Sequence, residues 1–121
     1  MKTLLIVDDS EYMRALIKKC VGELNLTVVG EAKNGIIGVE KYKELSPDIV
    51  TMDLAMDGGD GIDALGEIMS HNPDAKVLIV SSTAGQEPVV NKALELGAKG
   101  IIDKNFIQVK LMDGINKLLA E

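Results

Sequence analysis

At 121 residues, with 46% apolar and 26% charged side chains, the chain is long enough for one ordinary soluble domain, expected to span 1–121, and too short for two. A formal charge of −6 argues against nucleic acid or an anionic membrane as the main partner, since both reward clustered Lys and Arg. No apolar run is long enough to cross a bilayer, Asp8 and Asp9 interrupt the opening stretch where a signal peptide would continue, and Cys20 is alone, so a cytoplasmic location is expected.

The run Lys2 to Val7 predicts a first strand, and Ser10 with Glu11 supplies an N-cap and a first-turn acid for a helix whose apolar positions are Met13, Leu16, Ile17, Cys20, Val21 and Leu24. On that stripe Cys20 is expected to be a buried small hydrophobe. Thr27 to Ala32 predicts the second strand, Asn34-Gly35 a turn, and Ile36, Val39, Tyr42 and Leu45 a second helix stopped by Ser46-Pro47-Asp48. Ile49 to Met52 is followed by a helix carrying Ile62, Leu65, Ile68 and Met69, with Asn72-Pro73-Asp74 as its stop. Val77 to Val80 leads to a fourth helix through Val90, Ala93, Leu94 and Gly97. Gly100 to Ile102 leads to a fifth with Leu111, Ile115, Leu118 and Leu119. Five strand–helix pairs without long insertions predict a doubly wound α/β fold, an open parallel sheet covered on both faces and joined by right-handed crossovers.

The strand ends carry the chemistry. Asp8 and Asp9 end the first apolar run, Asp53 ends the third, Ser81 and Ser82 follow the fourth, and Lys104 closes the fifth. In a parallel sheet these tips share one edge. Clustered carboxylates repel unless a cation offsets them, and a site of few carboxylates suits Mg²⁺ or Mn²⁺, with Asp8, Asp9 and Asp53 as candidate ligands. An Asp oxygen is also able to attack phosphorus and form an acyl phosphate when a metal and a lysine offset the charge on the phosphoryl oxygens. A serine hydroxyl on the same edge is placed to bond one of those oxygens. His71, the only histidine, stands beside Asn72-Pro73 at a helix end and is expected at the surface.

The pattern resembles the receiver domains of two-component response regulators, most nearly the stand-alone CheY-like type. The resemblance covers almost the whole chain. Its fragments are Leu4-Leu5-Ile6-Val7-Asp8-Asp9-Ser10, Pro47-Asp48-Ile49-Val50-Thr51-Met52-Asp53-Leu54, Gly61-Ile62-Asp63-Ala64-Leu65, Val80-Ser81-Ser82 and Ala93-Leu94-Glu95-Leu96-Gly97-Ala98-Lys99-Gly100 before Lys104. It implies a flavodoxin-like sheet of order 2-1-3-4-5. It further implies phosphorylation of Asp53 by a histidine kinase, Mg²⁺ held by Asp8, Asp9, Asp53 and the backbone carbonyl of Ala55, Ser81 rather than Ser82 as the switch hydroxyl, and Lys104 as the phosphate-pairing lysine. Self-phosphorylation and self-dephosphorylation would then be its only chemistry. The implied output is a partner protein, as in chemotaxis, docked on helix 4, strand 5 and helix 5, including Val89, Lys92, Glu95, Ile101 and Lys110. A receiver of a larger response regulator and a phosphorelay intermediate are variants of the same reading.

Four positions depart from the family's pattern. Met56 is followed by Asp57-Gly58-Gly59-Asp60 where a proline is common, which predicts a more mobile, more acidic turn. Lys104 precedes Asn105 instead of a cis proline, so a trans bond is expected. Ile101 replaces the usual aromatic ring, and Ala55 has no side chain able to orient attacking water, which predicts slow self-dephosphorylation. Assigning the switch to Ser81 places one extra residue in the Thr83 to Pro88 loop. A haloacid-dehalogenase-type phosphatase needs a second Asp two residues after the first and a larger, capped chain, which Asp8-Asp9-Ser10 does not offer. A flavin binder would need amides and hydroxyls where the first loop is acidic. A pseudo-receiver would have lost an acid or the lysine, and none is lost.

Overall fold

The computed structural model describes residues 1–56, 61–82 and 87–121, apart from the side chain of Glu87. The expected turn at Asp57-Gly58-Gly59-Asp60 and the 83–86 part of the loop expected to hold an extra residue lie outside them. Strands β1 (Lys2–Val7), β2 (Leu26–Ala32), β3 (Ile49–Met52), β4 (Val77–Ser81) and β5 (Gly100–Asp103) alternate with helices α1 (Glu11–Val21), α2 (Gly35–Leu45), α3 (Gly61–His71), α4 (Glu87–Leu96) and α5 (Ile107–Leu119). All pairings are parallel and the order is β2-β1-β3-β4-β5, as expected.

Alternation of side chains along the buried strands divides the core in two. Leu5, Val7, Val50, Met52, Val77 and Ile79 meet Val39 and Tyr42 of α2, Ala64, Leu65 and Ile68 of α3, and Ala93 of α4. On the other face Leu4, Ile6, Ile49, Leu78, Val80 and Ile102 meet Ile17 and Val21 of α1 and Leu111, Ile115 and Leu118 of α5. Thr51 points into this second face, and its buried hydroxyl has no hydrogen-bond partner among the described residues.

Local chemistry sets the helix starts. Ser10 Oγ accepts from Met13 N at 3.1 Å to cap α1, and Asn34 Oδ1 accepts from Ile37 N at 2.8 Å to cap α2. Asn34-Gly35, read from sequence as a turn, is therefore a cap and the first helical residue. Strand β2 starts one residue earlier than expected, at Leu26, and α1 ends at Val21, so Leu24 packs from the following turn. Cys20 is half-buried, not buried, and burial raises its thiol pKa.

Strand β2 is irregular at one point. Leu4 pairs with Val28 and Leu5 with Gly30, so Val29 is an extra residue in β2. Below it Leu26 and Val28 pack on the α1 and α5 side. Above it Ala32 joins the α2 side, and a Cβ on Gly30 would meet Leu45 of α2 and Leu5. Glu31 is thereby turned toward α1.

Candidate functional site

The C-terminal ends of β1 and β3 are neighbours at the point where the chain reverses its order across the sheet, the usual position for a site in this architecture. Asp53 N donates to Val7 O at 3.0 Å and Asp8 N to Ala32 O at 3.0 Å, which continue the sheet ladder past the strand ends and fix both acids in register. Asp8 and Asp53 are almost completely buried, at 1% and 3% exposure, whereas Asp9 is exposed. Carboxylate oxygens of all three lie within 4.8 Å of one another.

Lys104, just beyond β5, reaches over this cluster. Its Nζ donates to Asp53 Oδ2 at 3.1 Å and lies 2.9 Å from Asp8 Oδ2. The second contact is a close ion pair, and among the described residues the buried Asp8 Oδ2 has no polar partner besides this ammonium. The other oxygens are committed: Asp8 Oδ1 accepts from Ser10 N at 2.9 Å, and Asp53 Oδ1 accepts from Ala55 N at 3.2 Å. Burial lifts the Asp53 carboxyl above its ordinary pKa, with a smaller contribution from Asp8, while Lys104 and the Ala55 amide oppose the rise. Burial also works against the Lys104 ammonium, but Asp8 and Asp53 outweigh it and hold its pKa above the ordinary value.

The approach of Lys104 uses the residue that replaces the family's proline. Asn105 N, a donor that proline lacks, bonds Asp103 Oδ1 at 2.9 Å and closes the 3₁₀ turn Lys104–Phe106. No cis bond occurs among the described residues, in line with the trans expectation at Lys104-Asn105. Gly61, the first residue of α3, packs directly on the loop behind Asp53: a Cβ there would collide with Asp53 O and stand 2.6 Å from Leu54 Cα.

Ser81 is fully buried at the end of β4, opposite Asp103, and Ser82 is exposed in the turn beyond. Among the expected output-face residues, Lys92, Glu95 and Lys110 are exposed, while Val89 and Ile101 are half-buried against the core. His71 is exposed at the end of α3, edge-on to the Tyr42 ring. A polar cleft of about 470 Å³ opens at the opposite ends of the strands, lined by residues that include Lys2, Tyr42, Asp48, His71 and Lys76; none of the clustered acids reaches it.

Sequence reasoning overlooked Arg14. Its Nη1 donates to the backbone carbonyl of Asp8 at 2.7 Å and its Nε to Glu31 Oε1 at 3.0 Å. The available signal was composition: Arg14 is the only arginine in a chain that otherwise uses lysine, and it lies one helical turn from the acidic doublet's N-cap.

Two buried acids and an exposed one around a single ammonium suit a hard cation, since every candidate ligand atom is a carboxylate oxygen and among the described residues Asp8 Oδ2 has only Lys104 as a polar partner. Among the described residues no helix is long and apolar enough to cross a membrane. The response regulator receiver domain model matches residues 4–116. CheY of Thermotoga maritima is 47% identical over 117 residues, covering 97% of each chain, and CheY of Bacillus subtilis is 46% identical over 116 residues, covering 96% of each. The response regulator domain of Thermotoga maritima CheB superposes with a TM-score of 0.91 at 33% identity, covering 100% of this chain and 98% of that one. CheY in a CheX-CheY-BeF3-Mg²⁺ complex from Borrelia burgdorferi superposes with a TM-score of 0.92 at 30% identity, covering 99% and 90%. With its strand order, its edge of acids and its homology to CheY, the chain belongs to the response regulator receiver domains, the phosphate-accepting signalling modules of two-component systems.

Proposed function

We propose that this chain is one receiver domain over 1–121 and that Asp53 is its phosphoacceptor, charged by a separate histidine kinase. The observation that carries the assignment is the Lys104 ammonium, 3.1 Å from Asp53 and 2.9 Å from Asp8. It neutralises the acids before transfer and stands beside the carboxylate that gains the phosphoryl group. A carboxylate oxygen of Asp53 attacks phosphorus, the oxygen–phosphorus bond forms, and the phosphorus–nitrogen bond to the donor imidazole breaks. Asp8, Asp9, Asp53 and the Ala55 carbonyl would hold Mg²⁺, which when bound offsets the negative charge on the phosphoryl oxygens. Burial of Asp53 keeps bulk water from the nucleophile, and the raised pKa of Lys104 keeps it protonated throughout.

Ser81, at the buried end of the neighbouring strand, is our choice for the hydroxyl that bonds the new phosphoryl group, in preference to the exposed Ser82. Drawing Ser81 and Lys104 toward the phosphate biases the segments entering α4 and α5, and we assign the output face to α4, β5 and α5. Moving a switch from 1:99 to 99:1 takes roughly 5.5 kcal/mol of differential stabilisation. A few charge-assisted hydrogen bonds of about 1.5–3 kcal/mol each supply that. The domain works in the cytoplasm, without direct contact to nucleic acid, and its own chemistry is limited to gaining and losing the phosphoryl group.

The test is incubation with acetyl phosphate and Mg²⁺ followed by intact mass measurement. A Mg²⁺-dependent phosphoryl adduct is expected on the wild type and absent from Asp53→Asn; an adduct of equal yield on the variant would place the acceptor elsewhere.

A further inference from the structure

Behind the clustered acids, Arg14 joins three elements. Its guanidinium spans the Asp8 carbonyl at the end of β1 and the Glu31 carboxylate of β2 from a position on α1. Glu31 is held in turn by Lys18 Nζ on Oε2 at 2.8 Å, and Lys41 Nζ of α2 donates to the Glu31 carbonyl at 2.6 Å. The Arg14 side chain is only 16% exposed, so this fork is more shielded from water than an ordinary surface ion pair.

The consequence lies in the peptide that links the two acids. A peptide unit is planar, so holding the Asp8 carbonyl also holds the direction in which the chain leaves toward Asp9. Asp8 is otherwise tied by its N–H to Ala32 O and by its Oδ1 to Ser10 N. Arg14 adds a further backbone restraint at 2.7 Å. Without it the Asp8 carbonyl loses this donor, and the spacing between the buried and the exposed carboxylate is held less firmly. Lysine is a poor substitute, because one ammonium lacks the rigid planar fork that meets a carbonyl on one side and a carboxylate on the other.

We propose that Arg14 is a positioning residue for cation binding: by fixing the plane of the Asp8–Asp9 peptide it sets the separation of the two carboxylates and thereby the affinity for Mg²⁺. The inference rests on the reading of Asp8, Asp9 and Asp53 as the cation's ligands.

Its sign is opposite to that of simple electrostatics. Removing a positive charge near an acidic site ought to tighten cation binding. Losing an outer restraint on the ligands weakens metal affinity, commonly by 10- to 100-fold.

The experiment measures Mg²⁺ dissociation constants by titration calorimetry for wild type, Arg14→Met and Arg14→Lys, with urea unfolding in chelator to show that each is folded. Both variants are expected to bind Mg²⁺ about tenfold more weakly or worse. Tighter binding by Arg14→Met with unchanged binding by Arg14→Lys would make Arg14 only a nearby charge and overturn the proposal. Unchanged affinity in both, even with reduced stability, would make it only a brace between α1 and the sheet, and also overturns it. If Arg14→Met does not fold, the charge-conserving Arg14→Lys still tests the proposal, since weaker binding supports it and unchanged binding overturns it. Wild-type protein that takes up no Mg²⁺ would instead refute the ligand reading beneath it, a failure visible before any variant is compared.

Discussion

Lys104→Met keeps the length of the side chain but removes the ammonium between Asp8 and Asp53. Two carboxylates at 1% and 3% exposure then face each other with no described cation between them. Breaking a buried pair costs about 3–5 kcal/mol because a charge is left uncompensated. Lys104 is itself 16% exposed, so water relieves part of the penalty and the lower end, about 3 kcal/mol, applies. For 121 residues the unfolding entropy is about 0.25 kcal/mol/K, which converts the loss to a fall of roughly 12 °C in Tm. The assay is thermal unfolding by circular dichroism near neutral pH in chelator, on Lys104→Met, Asp53→Asn and the double variant. Asp53→Asn alone is expected to stabilise, since it removes an ionised buried acid, and the double variant to recover most of what Lys104→Met loses. A loss below about 1 kcal/mol, the scale of a surface ion pair, would refute the reasoning, as would a double variant no more stable than Lys104→Met.

Other consequences are equally open to measurement. The raised pKa of Asp53 penalises the fold above that value, and the penalty disappears as pH falls through it toward the ordinary 3.8. Metal-free wild type should therefore gain stability relative to Asp53→Asn across that interval, and parallel urea-unfolding curves against pH would disprove it. Thr51→Val removes a buried hydroxyl without a described partner and should stabilise by about 1–2 kcal/mol, or roughly 4–8 °C; an unchanged Tm would mean that the hydroxyl is satisfied after all. Gly61→Ala forces a methyl against the Asp53 backbone and should cost about 1–3 kcal/mol while slowing phosphorylation, both absent if α3 simply shifts outward. Ala55→Asn or Ala55→Glu should lose phosphate several-fold faster than wild type in a phosphate-release assay, and equal rates would refute the expectation that Ala55 slows phosphate loss.

The acids and the lysine were legible in sequence because parallel strands place all their C-terminal ends on one edge, so short apolar runs suffice to bring Asp8, Asp53 and Lys104 together and to put Ser81 on the same edge. Helical spacing was a weaker guide. Ile36 at 62% and Leu94 at 46% exposure occupy apolar positions of the pattern without entering the core, since periodicity indicates a face but not how far the neighbouring helix covers it. Asn34 was read as a turn residue and is a helix cap, because the same side-chain oxygen serves both and only the bond from Ile37 N decides. Arg14 and Glu31 were illegible for a different reason. Their meeting depends on β2 lying beside β1 and on an extra residue at Val29, neither of which leaves a spacing signal in one chain.

That extra residue acts as a phase shift along the edge strand. Before it, every second side chain serves α1 and α5; after it, the same alternation serves α2, and the glutamate that would have been pressed into apolar surroundings meets arginine and lysine instead. Point substitution cannot move such a boundary, because exchanging a side chain leaves the parity of the strand untouched. Only gaining or losing one residue does so, and that single step would reassign the whole upper half of β2 at once. Insertions and deletions at this edge therefore reach the acidic centre more directly than most replacements in the helices that surround it.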